Sequence, residues 1–168
     1  QSLLLSAIIT KASGMTASQF AEEYLTGPMG IDIFSWGSDP QGNTIGGYDL
    51  YMTPRQMAVL GYLYLSGGVI DGRRIISQEW IDLSWQKTNL NDGSWGVLTE
   101  YNYGYHWWIG KMQGLDLFIA WGMGGQFIFC VPEHDLIVVV TSNPDISWDN
   151  DQEYPVLELV SDYILTAI

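Results

Sequence analysis

Between Leu115 and Asn143 the chain reads LDLFIAWGMGGQFIFCVPEHDLIVVVTSN, three apolar runs parted by two short breaks. Leu115–Trp121, Gln126–Val131 and Leu136–Thr141 have the strand signature of apolar and β-branched residues bounded by turn formers. Parallel strands need a crossover of a dozen residues or more, so connections this short favour antiparallel hairpins. The second break, Pro132-Glu133-His134-Asp135, is turn-like. The first, Gly122-Met123-Gly124-Gly125-Gln126, places three glycines in four residues. Such a cluster reaches backbone conformations closed to other residues and lets a ligand approach the main chain. A plain hairpin corner accounts for it equally well.

The rest of the chain supplies helices to cover that sheet. Leu4, Ala7, Ile8 and Lys11 recur at helical spacing before Gly14 ends the element. Thr16-Ala-Ser-Gln19 is a capping-box pattern opening a helix with Phe20, Tyr24 and Leu25, and Gly27-Pro28 ends it. Residues 30–50 are loop-like. Thr53-Pro54-Arg55-Gln56 opens the clearest helix, with Met57, Leu60, Gly61 and Tyr64 as its stripe. Val69 to Ile76 is a hairpin around Asp71-Gly72, and Ser77 caps a helix carrying Trp80, Ile81, Ser84 and Trp85. Residues 88–100 read as a surface excursion and Tyr101–Gly110 as one aromatic strand. Pro155 leads into a last helix, Val156 to Ile168, with Val156, Val160, Tyr163, Ile164 and Ala167 on one side; Asp149, Asp151 and Glu153 sit near its N-terminus, where the helix dipole favours them. Helices, then strands, then a C-terminal helix predict an α+β fold with an antiparallel sheet, all in one unit without repeats or linkers.

The chain has 168 residues, 47% of them hydrophobic and 15% charged, which predicts a globular domain with a sizeable core. Six Lys and Arg stand against nineteen Asp and Glu, a net charge of −13. That excludes the basic footprint that nucleic acid or an anionic membrane needs, so neither is an expected partner. No apolar run approaches the roughly 18 residues of a transmembrane helix. The N-terminus lacks a basic leader and continues directly into a helix, so no signal peptide is expected there.

The inventory of reactive groups is thin. Cys130, the single cysteine, lies inside an apolar strand and reads as a buried small hydrophobe. His106 falls in the aromatic strand and His134 in a turn, between Glu133 and Asp135, and both read as structural. Two separated histidines and one cysteine match no metal-ligand spacing, so no metal and no cofactor is expected. Ser84-Trp85-Gln86-Lys87 has the S-x-x-K spacing of a serine nucleophile and its lysine. Ser84, however, falls late in a helix, whereas a serine of that motif opens one.

Leu3–Met15 (LLLSAIITKASGM), Gly46–Gly61 (GGYDLYMTPRQMAVLG), Tyr103–Ile109 (YGYHWWI) and Trp121–Asn143 together resemble the C-terminal half of the β-lactamase-related serine hydrolases. This broad family contains class C β-lactamases, D-alanyl-D-alanine peptidases, esterases and 6-aminohexanoate-oligomer hydrolases. The likeness covers nearly the whole chain in consistent order. It implies the C-terminal part of a serine β-lactamase or penicillin-binding-protein-like fold, so residues 1–168 would be a single partial domain. The family's Ser-x-x-Lys and Tyr-x-Asn/Ser motifs precede the matched region, which leaves no nucleophile in this chain. Its third motif, Lys-Thr-Gly, falls on Ala120-Trp121-Gly122: Gly122 fits, and Ala120 stands where the lysine would be. By position, Met123 inherits a backbone N–H of the oxyanion hole, and Gly124, Gly125 and Gln126 shape the substrate-binding wall. A missing lysine argues against β-lactams and for a small-molecule amide or ester. Periplasmic or extracellular location is suggested by the family alone.

Three readings are therefore open. The chain is the oxyanion-bearing C-terminal portion of a serine hydrolase, inactive alone and completed by an N-terminal half or by self-association. It is a non-catalytic glycan- or peptide-binding module built on its many aromatics. Or it is an unconventional enzyme using Ser84 and Lys87.

Overall fold

The computed structural model describes residues 1–88, 93–143 and 152–168. Helix α1 (Ser2–Ser13) ends on Gly14 at φ 77, the left-handed cap a glycine permits. Thr16 opens α2 (Ala17–Ala21) and Thr53 opens α3 (Pro54–Leu65), each through a complete capping box. Gln19 and Gln56 donate their backbone N–H to the threonine hydroxyls, and their side chains accept from the threonine N–H in return. Ser77 caps α4 (Gln78–Ser84) by accepting from Trp80 N–H at 3.0 Å. These helix starts fall where the sequence puts them because a cap is a local bond that needs no tertiary partner.

Between the helices lie two small ladders. β1 (Ser35–Trp36) pairs with β2 (Leu50–Tyr51), so the loop-like stretch 30–50 is closed by a two-residue ladder. β3 (Val69–Ile70) and β4 (Arg73–Arg74) form the expected Asp-Gly hairpin, with Asp71 at φ 48 and Gly72 at φ 77.

The main sheet comprises β5 (Gly93–Trp95), β6 (Leu98–Tyr103), β7 (Trp108–Met112), β8 (Leu115–Gly122), β9 (Gln126–Val131) and β10 (Leu136–Val140). It is an antiparallel meander in the order β10-β9-β8-β7-β6-β5, which bears out the α+β reading. One strand expectation is corrected: Tyr101–Gly110 is two strands, not one. The chain reverses after Tyr103, with Gly104 N–H donating to Trp107 O at 2.8 Å and His106 at φ 63. Gly104 lies so close to Ser84 O and Gln86 O that a side chain there would collide with backbone. Residues 88–100 are likewise more than an excursion, since they hold β5 and the fully buried Leu98; positions 89–92 lie outside the described residues.

Alternation sends the sheet's side chains to two cores. Leu117, Ile119, Phe127, Phe129 and Val131 pack against Leu157, Val160 and Leu165 of the C-terminal helix. That helix starts earlier than Pro155 suggested, as α5 (Glu153–Leu159), and proline in its first turn forfeits no intrahelical bond. A π turn at Val160–Ile164 then shifts the inward face to Leu157, Val160 and Leu165 and leaves Tyr163, expected inside, 78% exposed. Asp149 and Asp151 lie outside the described residues.

On the opposite face, Ile128, Cys130, Ile137 and Val139 meet Met57, Leu60 and Tyr64 of α3, with Trp85 and Trp107 beside them. Gly61 sets this contact. A Cβ there would stand 2.9 Å from Ile128 Cγ2, 3.1 Å from Ile137 Cγ2 and 3.4 Å from Cys130 Sγ. The other side of α3 buries Leu63 with Met29, Ile31 and Ile70 in a third cluster. β10 forms one edge of the sheet, and α1 turns Leu3, Leu4, Leu5 and Ile8 outward, with Leu4 66% exposed.

The Gly61 contact predicts a cost for any branched side chain. Gly61→Val would have to push α3 off β9 and β10, and overpacking of this kind costs about 1–3 kcal/mol. Chemical unfolding should show that loss, whereas Val at the exposed cap glycine, Gly14, should act through φ strain and leave the packing of Cys130 unchanged.

Candidate active-site turn

The glycine cluster folds as the turn between β8 and β9, with Gly122 paired to Gln126 at its base. Gly124 at φ 76 and Gly125 at φ 81 are both left-handed, which explains why glycines stand there. Gly125 also lies against Ser142, whose Oγ would be 2.9 Å from an added Cβ.

Two elements far along the chain hold this turn. Gly124 N–H donates to Glu153 Oε1 at 3.1 Å, and Gln152 Nε2 donates to Gly124 O at 3.3 Å and to Asn143 O at 2.6 Å. The Gln126 amide clamps the segment after β10, donating to Ser142 O at 2.6 Å and accepting from Ser142 N–H at 3.4 Å. Sequence reasoning missed Gln152, Glu153 and Ser142. The one local signal, Gln152-Glu153 shortly before Pro155, reads in the sequence only as the approach to a helix.

Met123 sits at the outer end of the turn, 66% exposed, and its N–H donates to no acceptor among the described residues. β7 does not cover it. The β7–β8 ladder ends at Trp108 opposite Ile119, while the β8–β9 ladder continues to Gly122. Among the described residues, the last turn-ward residues of β8, Ala120 to Gly122, therefore have a strand on one side only. Ala120 belongs to the apolar α3-facing cluster with Phe118 and Trp85. Trp121 faces the other way and stacks on Trp95, with ring centroids 4.5 Å apart and planes 25° apart. Tyr154 lies directly on Gly96, the residue after Trp95.

The remaining candidates are placed elsewhere. Ser84 is fully buried and donates to Ile81 O at 3.0 Å, while Lys87 pairs with Glu100 at 3.7 Å. A hydroxyl in that position has no access to substrate. His106 is exposed in the β6–β7 turn, and His134 is exposed in the turn Pro132–His134. Among the described residues no three His, Cys, Asp or Glu side chains gather to hold a metal ion, and no helix is long and apolar enough to cross a membrane. Cys130 is fully buried with Sγ 3.8 Å from Gly61 O, and burial pushes its thiol up from an ordinary 9.0 to about 12.

Comparison with known proteins places this geometry in context. The sequence profile of the Beta-lactamase family matches residues 1–160. The 6-aminohexanoate-dimer hydrolase of Paenarthrobacter ureafaciens is 24% identical over 153 residues, covering 84% of this chain. A Bacillus anthracis protein described as a candidate 6-aminohexanoate-dimer hydrolase superposes with a TM-score of 0.69 at 23% identity, over 88% of this chain. A penicillin-binding protein homologue from Caulobacter crescentus superposes with a TM-score of 0.58 at 18% identity, over 82% of it. The chain spans only 38% of the length of the first two and 49% of the third.

The buried thiol gives a prediction with a definite sign. Its folded pKa lies above the unfolded one, so its contribution to stability is constant below pH 9 and erodes as pH climbs from 9 towards 12. Over that window the loss from this group approaches about 1.4 kcal/mol per pH unit. Urea unfolding at several alkaline pH values should show a shallower decline for Cys130→Ala than for the parent chain, and native Cys130 should resist iodoacetamide at pH 8.

Proposed function

The chain belongs to the β-lactamase family, and from that premise we propose that it is the C-terminal portion of a serine hydrolase that cleaves an amide or ester through an acyl-enzyme. The observation that carries the reading is the Met123 N–H, without an acceptor among the described residues, on a residue 66% exposed at the end of a strand that those residues pair on one side only. A carbonyl oxygen approaching β8 from that side would find a donor already fixed in place. Fixing matters, because an oxyanion donor accelerates acyl transfer only if it need not reorganise as charge develops. Gly124 and Gly125 provide the turn, and the bonds from Gln152, Glu153 and Gln126 hold it. In this reading Gly122 gives the carbonyl a close approach, and Gly124, Gly125 and Gln126 form the adjoining wall.

The nucleophile and its base come from outside the chain. Ser84 is sealed inside α4 and cannot serve, so the isolated chain is inactive. The substrate is an amide or ester without the carboxylate of a β-lactam, since Ala120 offers an apolar surface at the position of the family's lysine. The name of the Paenarthrobacter relative, a 6-aminohexanoate-dimer hydrolase, supports the amide side of this reading. The outward leucines of α1 and the β10 edge are the surfaces that the rest of the enzyme, or a second copy, would cover. In its absence the chain self-associates, and a strictly monomeric elution on gel filtration would count against that.

A serine-reactive fluorophosphonate tests the reading directly. It should leave the isolated chain unlabelled and label a serine outside residues 1–168 in the complete protein; labelling of Ser84 would overturn the proposal. In the complete protein, Met123→Pro removes the N–H and should slow acyl transfer by about 100-fold or more, while Met123→Ala keeps it and should do far less. Equal effects of the two changes would exclude a backbone role.

A further inference from the structure

Sulfur is divided unevenly between the inside and the outside of this chain. Its sulfur-bearing side chains are six methionines and Cys130. Met29 and Met112 are buried, Met52 packs on the cluster of Met29, Met57 packs on the cluster of Ile128, and Met15 is half-buried. Cys130 is fully buried, and the upward push on its thiol leaves almost no reactive thiolate at neutral pH. Met123 alone is exposed, and none of the three apolar clusters includes it. It stands at the outer end of the β8–β9 turn, and its own N–H has no acceptor among the described residues. An oxidant in solution therefore meets this sulfur first, at the residue that also carries the free donor.

We propose that Met123 is a site of reversible oxidation by hydroperoxides, which makes the β8–β9 turn a redox-sensitive element. The sulfur lone pair attacks one peroxide oxygen. An S–O bond forms as the O–O bond breaks, and the leaving oxygen takes a proton from solvent and departs as water or an alcohol. Sulfur is oxidised and the peroxide reduced; a thiol-dependent reductase reverses the step. The product is a polar sulfoxide, whose oxygen accepts hydrogen bonds far better than a thioether sulfur does. A flexible side chain tethers that acceptor to a residue whose N–H has none, so the oxygen competes for the N–H and sets a negative dipole beside it. The functional consequence rests on the acyl-transfer reading: oxidation slows the complete enzyme, because the sulfoxide and the developing oxyanion require the same donor.

The test begins with the 168-residue chain, its methionine methyl groups isotope-labelled and followed by NMR during exposure to dilute hydrogen peroxide. The Met123 methyl should convert about tenfold or more faster than those of Met29 and Met112, and in urea the rates should converge. The Met123 amide resonance should move in step with its methyl, and methionine sulfoxide reductase should return both. A Met123 methyl that reacts no faster than the buried ones, or an amide that stays in place, would overturn the proposal. In the complete protein, peroxide should slow fluorophosphonate labelling by about tenfold, with recovery on treatment with the reductase. Met123→Leu, whatever its starting rate, should lose nothing further to peroxide; an equal loss there would put the oxidation that matters elsewhere. Should the complete protein take no label at all, the acyl-transfer reading fails, while the methyl and amide signals of the 168-residue chain still decide the oxidation.

Discussion

The absence of one side chain decides how the two halves of this molecule meet. At Gly61, α3 lies on β9 and β10 with Ile128, Ile137 and Cys130 against its backbone. Because the helix sits this close, Met57, Leu60 and Tyr64 reach the sheet on one side while Leu63 enters the cluster of Met29, Ile31 and Ile70 on the other. α3 thus serves two cores at once. A residue with a branched side chain would separate them, and the helical region would lose its fixed position relative to the β8–β9 turn.

The turn itself is held by polar bonds rather than by packing. Its four anchors, Gln126, Ser142, Gln152 and Glu153, come from strand β9, the end of β10 and the first turn of α5. These side-chain bonds to backbone are individually worth about 1 kcal/mol, but each removes a degree of freedom from the same few residues. The outcome is a turn tied to three elements, with Met123 66% exposed at its outer end. The apolar wall at Ala120 and the aromatic wall at Trp121 then lie on opposite faces of the strand that ends there.

How much of this was legible depends on the range of the interactions. The strands at Leu115–Trp121 and Gln126–Val131 and the caps at Thr16, Thr53 and Ser77 were readable because period-two patterns and capping bonds are local. The aromatic run Tyr101–Gly110 defeated the same method, since Tyr101, Tyr103, Tyr105 and Trp107 continue the period-two pattern of a single strand straight through the reversal. Only Gly104, wedged against Ser84 O, marks where it reverses. The π turn at Val160–Ile164 moved Tyr163 outward, a shift that a helix of uniform period cannot register. At the candidate site, the glycines announced a turn, but the bonds that fix it span between 16 and 29 residues and leave no local trace.

The strand order has a kinetic consequence. In β10-β9-β8-β7-β6-β5 every pairing joins strands that follow one another along the chain. No ladder bond among these strands waits for a residue that lies far away or is made later, so the entropic cost of closing each loop is small and paid in short steps. A sheet of this kind can zip from its hairpins as it leaves the ribosome, independently of whatever polypeptide precedes it. The slow events in its assembly would then include the docking of α3 through Gly61 and of α5 against Phe127 and Phe129, because those contacts join distant parts of the sequence.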